Sequence, residues 1–275
     1  MRNPEDLKTE RETARIVSDA HPAGWIGAET VRFDETDSTN LQAKRLAEEG
    51  ASDGTLVVAE CQTAGRGRLG RSFSSPQGEG IFMSVILRPE APADQVSCLT
   101  LLAALAVQQG IGEIAGIGCG IKWPNDIIIH GKKVCGILTE MSMEERRVRH
   151  VVIGIGINCG NRDFPEELKE VATSLFLETG RQIRKDALIR SVWSAFEPLY
   201  ESFLRYHDLR EVREAYNQLL INREREVEVL DPDGAWKGSA LGINEKGALL
   251  VKNKAGELIE ISTGEVSVRG VYGYV

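Results

Sequence analysis

Past Asn222 the chain carries no further helical repeat, and this change of texture divides what the sequence can fold into. From Glu226 onward there are only short strand-like runs, VEVL, KGSALGI, ALLVK, LIEIS and VSVRGVYG, separated by Asp-Gly, Gly247 and Ala-Gly turn signals. Five short strands in so little chain predict a small β-barrel. The preceding stretch mixes strands with long helices. Strands are expected over 30–33, 55–60, 81–87, 126–129, 134–141 and 150–158. Asp37-Ser38-Thr39-Asn40 supplies caps for a helix that ends at Gly50. Further helices are expected over 93–109 and 185–207, where Leu188, Val192, Phe196, Leu199 and Phe203 recur at helical spacing, and on through 209–220. A short charged helix is expected over about residues 6–20, before a Pro/Gly break. The plan is α+β, with an N-terminal extension (1–27), a large mixed-sheet domain (28–222) and a C-terminal barrel (223–275).

Composition excludes several classes of function. Asp and Glu number 41 against 33 Lys and Arg, a formal net charge of -8, so the broad basic footprint of a nucleic-acid binder is missing. Cys61, Cys98, Cys119, Cys135 and Cys159 are odd in number and form no CxxC pair, which argues against a disulfide framework or a zinc site. They read as small buried hydrophobes in a reducing compartment. The reading finds no long apolar run and no apolar core in the charged N-terminus, so a soluble cytoplasmic protein is expected. His21, His130, His150 and His207 have no metal-ligand spacing, and no nucleophile–base constellation is visible.

The most informative segment is Gln62-Thr-Ala-Gly65-Arg66-Gly67-Arg68-Leu69-Gly70-Arg71, directly after an expected buried strand. Glycines let backbone approach a ligand, exposed N–H groups form an anion nest, and guanidinium forks add charge-assisted hydrogen bonds. The pattern is neither a P-loop nor a dinucleotide fingerprint. A flexible basic loop, or an arginine-glycine segment for nucleic acid, is the plainer alternative, although no aromatics interleave it. A second cluster is Lys122-Trp123-Pro124-Asn125-Asp126 with Lys132-Lys133-Val-Cys-Gly136-Ile-Leu138. Two lysines could neutralise charge building on phosphorus, and Asp126 could hold magnesium; an ordinary hairpin with solvated lysines is the alternative. A third, Gly154-Ile-Gly156-Ile-Asn158, places glycines inside a strand, where either a ligand or a packed helix must come close. Ser38-Thr39-Asn40 fits an N-cap, a ligand contact, or both.

In this order, DSTN at Asp37, QTAGRGRLGR at Gln62, KWPND at Lys122, KKVCGIL at Lys132, GIGIN at Gly154, NR at Asn222 and the GALL, GE and S-R elements of the terminal strands resemble the biotin protein ligase family. The resemblance covers nearly everything after about residue 30. It implies an α+β fold of the biotin/lipoate ligase type with a small SH3-like barrel, activating biotin with ATP to biotinyl-5'-AMP and transferring it to a lysine of a biotin carboxyl carrier protein. Ser38, Thr39 and Asn40 are implied to border the biotin rings with Gln62 beside them. Gly65, Arg66, Gly67 and Arg68 are implied to close over biotin and its adenylate, and Gly136, Gly154 and Gly156 to line the floor. Lys133 is implied to touch the biotin carboxylate and the acyl-phosphate oxygen. Lys122, Asn125 and Asp126 are implied to serve the ATP phosphates and magnesium, with Arg68, Arg71 and Asn158 near the nucleotide. Phe73 stands where the family often has tryptophan, so adenine stacking falls to it. Arg66, Arg68, Lys122 and Lys133 are the implied catalytic charges. A homodimer is implied as well. Some members also carry a DNA-binding domain and repress transcription; with about thirty residues before the core, ligation without operator binding is expected. A lipoate or octanoate ligase and a non-catalytic biotin sensor are the rival readings.

Overall fold

The computed structural model describes residues 14–17, 24–71, 73, 75–231, 234–262 and 267–270. Its larger sheet is built from β1 (Ala14–Val17), β2 (Thr30–Phe33), β3 (Leu56–Ala59), β4 (Gly80–Leu87), β5 (Gly120–Lys122), β6 (Asp126–Ile129), β7 (Lys132–Glu144) and β8 (Arg147–Asn158). Their spatial order is β1-β2-β3-β4-β8-β7-β6-β5. Among the described residues β2 and β3 pair in parallel and the other neighbours antiparallel, so the sheet is mixed. The helices are α1 (Thr39–Glu48), α2 (Cys98–Ala115), α3 (Leu175–Thr179), α4 (Lys185–Tyr206) and α5 (Arg213–Leu219).

Every residue of β4 is buried, as a central strand covered on both faces must be. On one face α1 lays Ala43 and Ala47 against Val31, Phe33, Val57, Ile86 and Val152. On the other, α2 and α4 close the main core. Helix α2 is apolar nearly all round, which is the mark of a helix buried on every side. The stretch Ala93–Ala115 is in fact long and apolar enough by composition to cross a membrane, a run the sequence reading passed over; 72% of its apolar window is buried in the protein, so it is a core helix. It also runs past residue 109, its expected end. Gly110 does not break it, and α4 packs close there: a Cβ would lie 2.8 Å from Val192 Cγ2. The helix stops at Gly116, whose φ of 67° suits a left-handed cap.

A further expectation is corrected. Over the described part of 6–20, residues 14–17 form not a helix but β1, antiparallel to β2; the rest of that segment lies outside the described residues. The β-branched Ile16 and Val17 favour a strand, and the edge of β2 offers unpaired backbone groups that this strand satisfies. The stretch read as an extension therefore adds a strand to the main sheet. Lys122 ends β5 and stands opposite Asp126 across a tight hairpin.

The C-terminal strands β9 (Arg225–Asp231), β10 (Gly234–Ile243), β11 (Leu249–Asn253), β12 (Leu258–Ile261) and β13 (Ser267–Gly270) form an antiparallel sheet ordered β12-β11-β10-β9-β13, the small SH3-like unit expected. Its inward residues Val227, Val229, Ala240, Ile243, Leu249 and Val251 join the main core. Trp123 fastens the two parts: its Nε1–H donates to the Gly247 carbonyl at 3.0 Å and its backbone N–H to Asn222 Oδ1 at 3.2 Å. The tryptophan of the KWPND motif is thus structural.

Candidate active site

The floor of the site is glycine. Gly136 of β7 pairs with Gly156 of β8, and Gly154 lies opposite Leu138 on one side and Ser84 of β4 on the other. A Cβ at Gly154 would run into the Asn40 amide, one at Gly156 would lie 2.8 Å from the Phe73 ring, and one at Gly136 would lie 2.9 Å from Lys133 Nζ. The strand glycines therefore make room both for a helix side chain and for groups facing a ligand space. Above this floor lies a cleft of about 460 Å³, counting its open mouth. The start of α1 forms one wall and the glycine-arginine loop forms another.

One end of the cleft is walled by neutral polar side chains, with Arg66 at its rim. Thr39 N–H, an unsatisfied donor of the first helical turn, donates to Gln62 Oε1 at 2.8 Å. Gln62 Nε2 donates to Ser75 Oγ at 2.8 Å, and the Ser75 hydroxyl donates to the Phe73 carbonyl at 3.1 Å. The Asn40 amide is fixed from both sides. Its Nδ2 donates to Glu140 Oε2 at 2.9 Å and to the Leu138 carbonyl at 3.2 Å, while its Oδ1 accepts from the Ser84 hydroxyl at 2.7 Å. Ser84, wholly buried, also stands 2.8 Å from Thr39 Oγ1.

The other end is cationic. Lys133 Nζ lies 2.6 Å from Asp126 Oδ1, with both side chains largely buried. Arg68 donates to Asn125 Oδ1 at 3.3 Å, and Asn125 in turn donates to the Ile137 carbonyl at 3.0 Å. Burial lowers the Arg68 guanidinium from its ordinary value, Asp126 opposes this, and Arg71 adds like-charge repulsion. A guanidinium remains charged through such a shift, so the cleft keeps a desolvated cation. The loop is folded on itself: Gly67 N–H donates to the Arg71 carbonyl at 2.7 Å and Phe73 N–H to the Gly65 carbonyl at 2.9 Å. Leu69 takes φ 56°, a strained value for a branched side chain. Gly65 is required because a Cβ there would strike the Phe73 carbonyl.

The cleft brings together Ser38, Thr39, Asn40 and Gln62, the loop residues Arg66, Gly67 and Arg68, the floor glycines 136, 154 and 156, and Phe73, Asn125 and Lys133. Phe73 lies on the floor, its ring edge-on to Phe82 with centroids 6.4 Å apart. Five candidates do not line it. Gly65 shapes the loop from behind, Arg71 is exposed outside, and Lys122 is buried at the end of β5. Asn158 donates to the Thr173 carbonyl at 3.0 Å and so holds the segment after β8. Asp126 does not line the cleft and reaches it through Lys133 and through its charge on Arg68. Among the described residues no three His, Cys, Asp or Glu side chains gather as a metal site. The sequence reading missed Ser84 and Glu140. A lone hydroxyl inside the apolar run GIFMSVIL was a usable signal for the first; nothing local marked the second.

A polar neutral end, a glycine and aromatic floor and a cationic end suit a molecule with a hydrogen-bonding head, an apolar middle and an anionic tail. Comparison with known proteins narrows the class. Residues 32–158 match the model of the Biotin/lipoate A/B protein ligase family, and residues 224–269 match that of the Biotin protein ligase C terminal domain. The Bifunctional ligase/repressor BirA of Bacillus subtilis is 44% identical over 233 residues, which span 84% of this chain and 71% of that protein. The Biotin--[acetyl-CoA-carboxylase] ligase of Paracoccus denitrificans is 32% identical over 86% of this chain and 98% of its own length. The structure of the biotin protein ligase from Aquifex aeolicus in complex with biotin and ATP superposes with a TM-score of 0.77 at 33% identity, covering 88% of this chain and 98% of that one. The chain belongs to the biotin protein ligase family.

Proposed function

We propose that this enzyme activates biotin with ATP and delivers it to one lysine of a biotin carboxyl carrier protein, with the two ends of the cleft dividing the work. The observation that carries this reading is the pairing of a fixed neutral hydrogen-bonding end, Thr39, Asn40 and Gln62, with the half-buried cations Lys133 and Arg68 in one cleft. The ureido ring of biotin is neutral and needs fixed donors and acceptors; its carboxylate needs positive charge.

A carboxylate is a poor acyl donor because oxide cannot leave. Attack of a biotin carboxylate oxygen on the α-phosphorus of ATP forms the P–O bond of biotinyl-5'-AMP and breaks the bond to pyrophosphate. Lys133 and Arg68 stabilise the negative charge that grows on the phosphoryl oxygens, and desolvation of the cleft strengthens them. The carrier lysine, as the free amine, then attacks the acyl carbon; AMP leaves and the amide forms. Arg66 and Arg68 hold the folded loop across the cleft and keep water from the mixed anhydride between the steps. Lys122 serves the phosphates from behind Asp126, its cross-strand partner. Bound magnesium would supply charge neutralisation at the phosphates. Asp126 is the carboxylate beside the cleft that can hold it, and a single carboxylate with substrate phosphates is an ordinary magnesium arrangement. Assembly as a homodimer and residence in the cytoplasm belong to the same proposal; the five unpaired thiols suit a reducing setting.

The test is to incubate the protein with biotin, magnesium ATP and a carrier domain and to weigh the carrier intact. A biotinyl mass gain, lost in Lys133→Ala and Arg68→Ala, is expected. Folded protein that neither modifies a carrier nor releases pyrophosphate in response to biotin would sink the reading.

A further inference from the structure

Three basic or amide groups, two from α1 and one from the glycine-arginine loop, converge on one carboxylate that does not itself line the cleft. Glu140, on β7, accepts from Asn40 Nδ2 at 2.9 Å and from Lys44 Nζ at 2.5 Å, and Arg66 Nη1 lies 3.3 Å from it. Its side chain is 17% exposed, while that of Arg66 is 44% exposed. Burial favours the neutral acid, but the hydrogen bonds from Lys44 and Asn40 and the charges of Lys44 and Arg66 outweigh it and hold the carboxyl below its ordinary value. Glu140 is therefore an anion across the neutral range, and an anionic carboxylate only accepts hydrogen bonds. That settles the orientation of Asn40: the amide nitrogen must face Glu140, so Oδ1 faces Ser84 and the floor at Gly154. The same charge holds Arg66, the first arginine of the loop, at the polar end of the cleft, while Arg68, two residues on, is held at the cationic end by Asn125.

We propose that Glu140 is a positioning residue for this site, one buried charge that both orients Asn40 toward the head group of biotin and anchors the loop through Arg66. The proposal rests on the reading that biotin occupies this cleft. It makes loop seating and head-group recognition two consequences of one side chain, acting through Asn40 and Arg66 and touching no substrate itself.

Substitutions separate the two arms. Glu140→Gln retains an acceptor for Asn40 but removes the charge that holds Arg66; Glu140→Leu removes both; Glu140→Asp restores the charge. Biotin affinity is measured by titration calorimetry, and pyrophosphate released per biotinyl group transferred is measured with ATP and the carrier domain. Glu140→Gln is expected to weaken biotin about tenfold and to raise the pyrophosphate-to-transfer ratio severalfold, because an unanchored loop lets the adenylate hydrolyse. Glu140→Leu is expected to bind more weakly still, and Glu140→Asp to recover most of the ratio. The double variant Arg66→Met with Glu140→Gln is expected to match Arg66→Met alone within twofold. Wild-type binding with Glu140→Gln unmoved in both readouts would overturn the proposal alone, as would additive effects in the double variant. Should Glu140→Leu fail to fold, the Gln and Asp variants still decide it. Wild-type protein that binds no biotin would overturn the reading of the cleft and the proposal with it.

Discussion

At the floor of the cleft a single methyl group decides whether Asn40 can sit where it does. Alanine at position 154 would place its Cβ into the Asn40 amide, and the amide has no slack, since Glu140, the Leu138 carbonyl and Ser84 hold it. Overpacking of this kind costs about 1–3 kcal/mol, and here the cost falls on the ligand site. Gly154→Ala is expected to lose about ten- to a hundredfold in biotin affinity and to lower the unfolding midpoint as well. Titration calorimetry beside a urea curve checks it; unchanged affinity would mean that Asn40 lies outside the binding surface. Ser84→Ala tests the same amide from the other side. It leaves Oδ1 buried without its donor, a loss of about 1–3 kcal/mol, and it should weaken biotin binding as well as stability. At this scale the sequence was legible where a motif had chemistry on its face, as in Arg68, Lys133 and the glycines. It was not legible for Glu140, a carboxylate on β7 whose partners Asn40, Lys44 and Arg66 stand far earlier in the chain.

Elements were legible where their period was clean and less so where packing overrode local signals. Helix α1 and strands β2, β3 and β4 fall within a few residues of expectation. Helix α2 outran its expected end at residue 109, continuing through Gly110, where α4 packs close against it. This gives a prediction at the scale of the element. Gly110→Ala keeps the helix and improves its propensity by up to about 1 kcal/mol. It also drives a Cβ to 3.1 Å from the Val192 backbone nitrogen, which α4 cannot easily yield. The clash should win, with a net loss of about 1–2 kcal/mol in urea unfolding and no change in biotin affinity, since neither helix face lines the cleft. A stabilised Gly110→Ala protein would show that α4 shifts freely on α2. The strand β1 was illegible for a different reason: four residues carry too little pattern, and the open edge of β2 is what makes them a strand.

For the molecule as a whole, the core is continuous from α2 and α4 into β9, β10 and β11, and Trp123 bridges the two parts. The two units recognised as separate textures in the sequence are therefore expected to unfold together, in a single transition by fluorescence and by circular dichroism. Acid stability is set within the larger one. His150 on β8 is 1% exposed, and no hydrogen-bond partner for Nδ1 exists among the described residues. Burial, followed by the charges of Arg88 and Arg149, lowers its proton affinity from the ordinary value of 6.5, with only Glu48 opposing. The folded protein thus holds this ring neutral where the unfolded chain would protonate it. A depressed folded value means stability that is present above about pH 6.5 and drains away as pH falls through the folded value, at up to about 1.4 kcal/mol per pH unit. His150→Gln, which cannot titrate, should flatten the decline in unfolding free energy between about pH 7 and 5 relative to wild type, even if it is less stable at pH 7. Parallel slopes for the two proteins would mean that His150 binds its proton alike in the folded and unfolded states, and that burial does not hold the ring neutral.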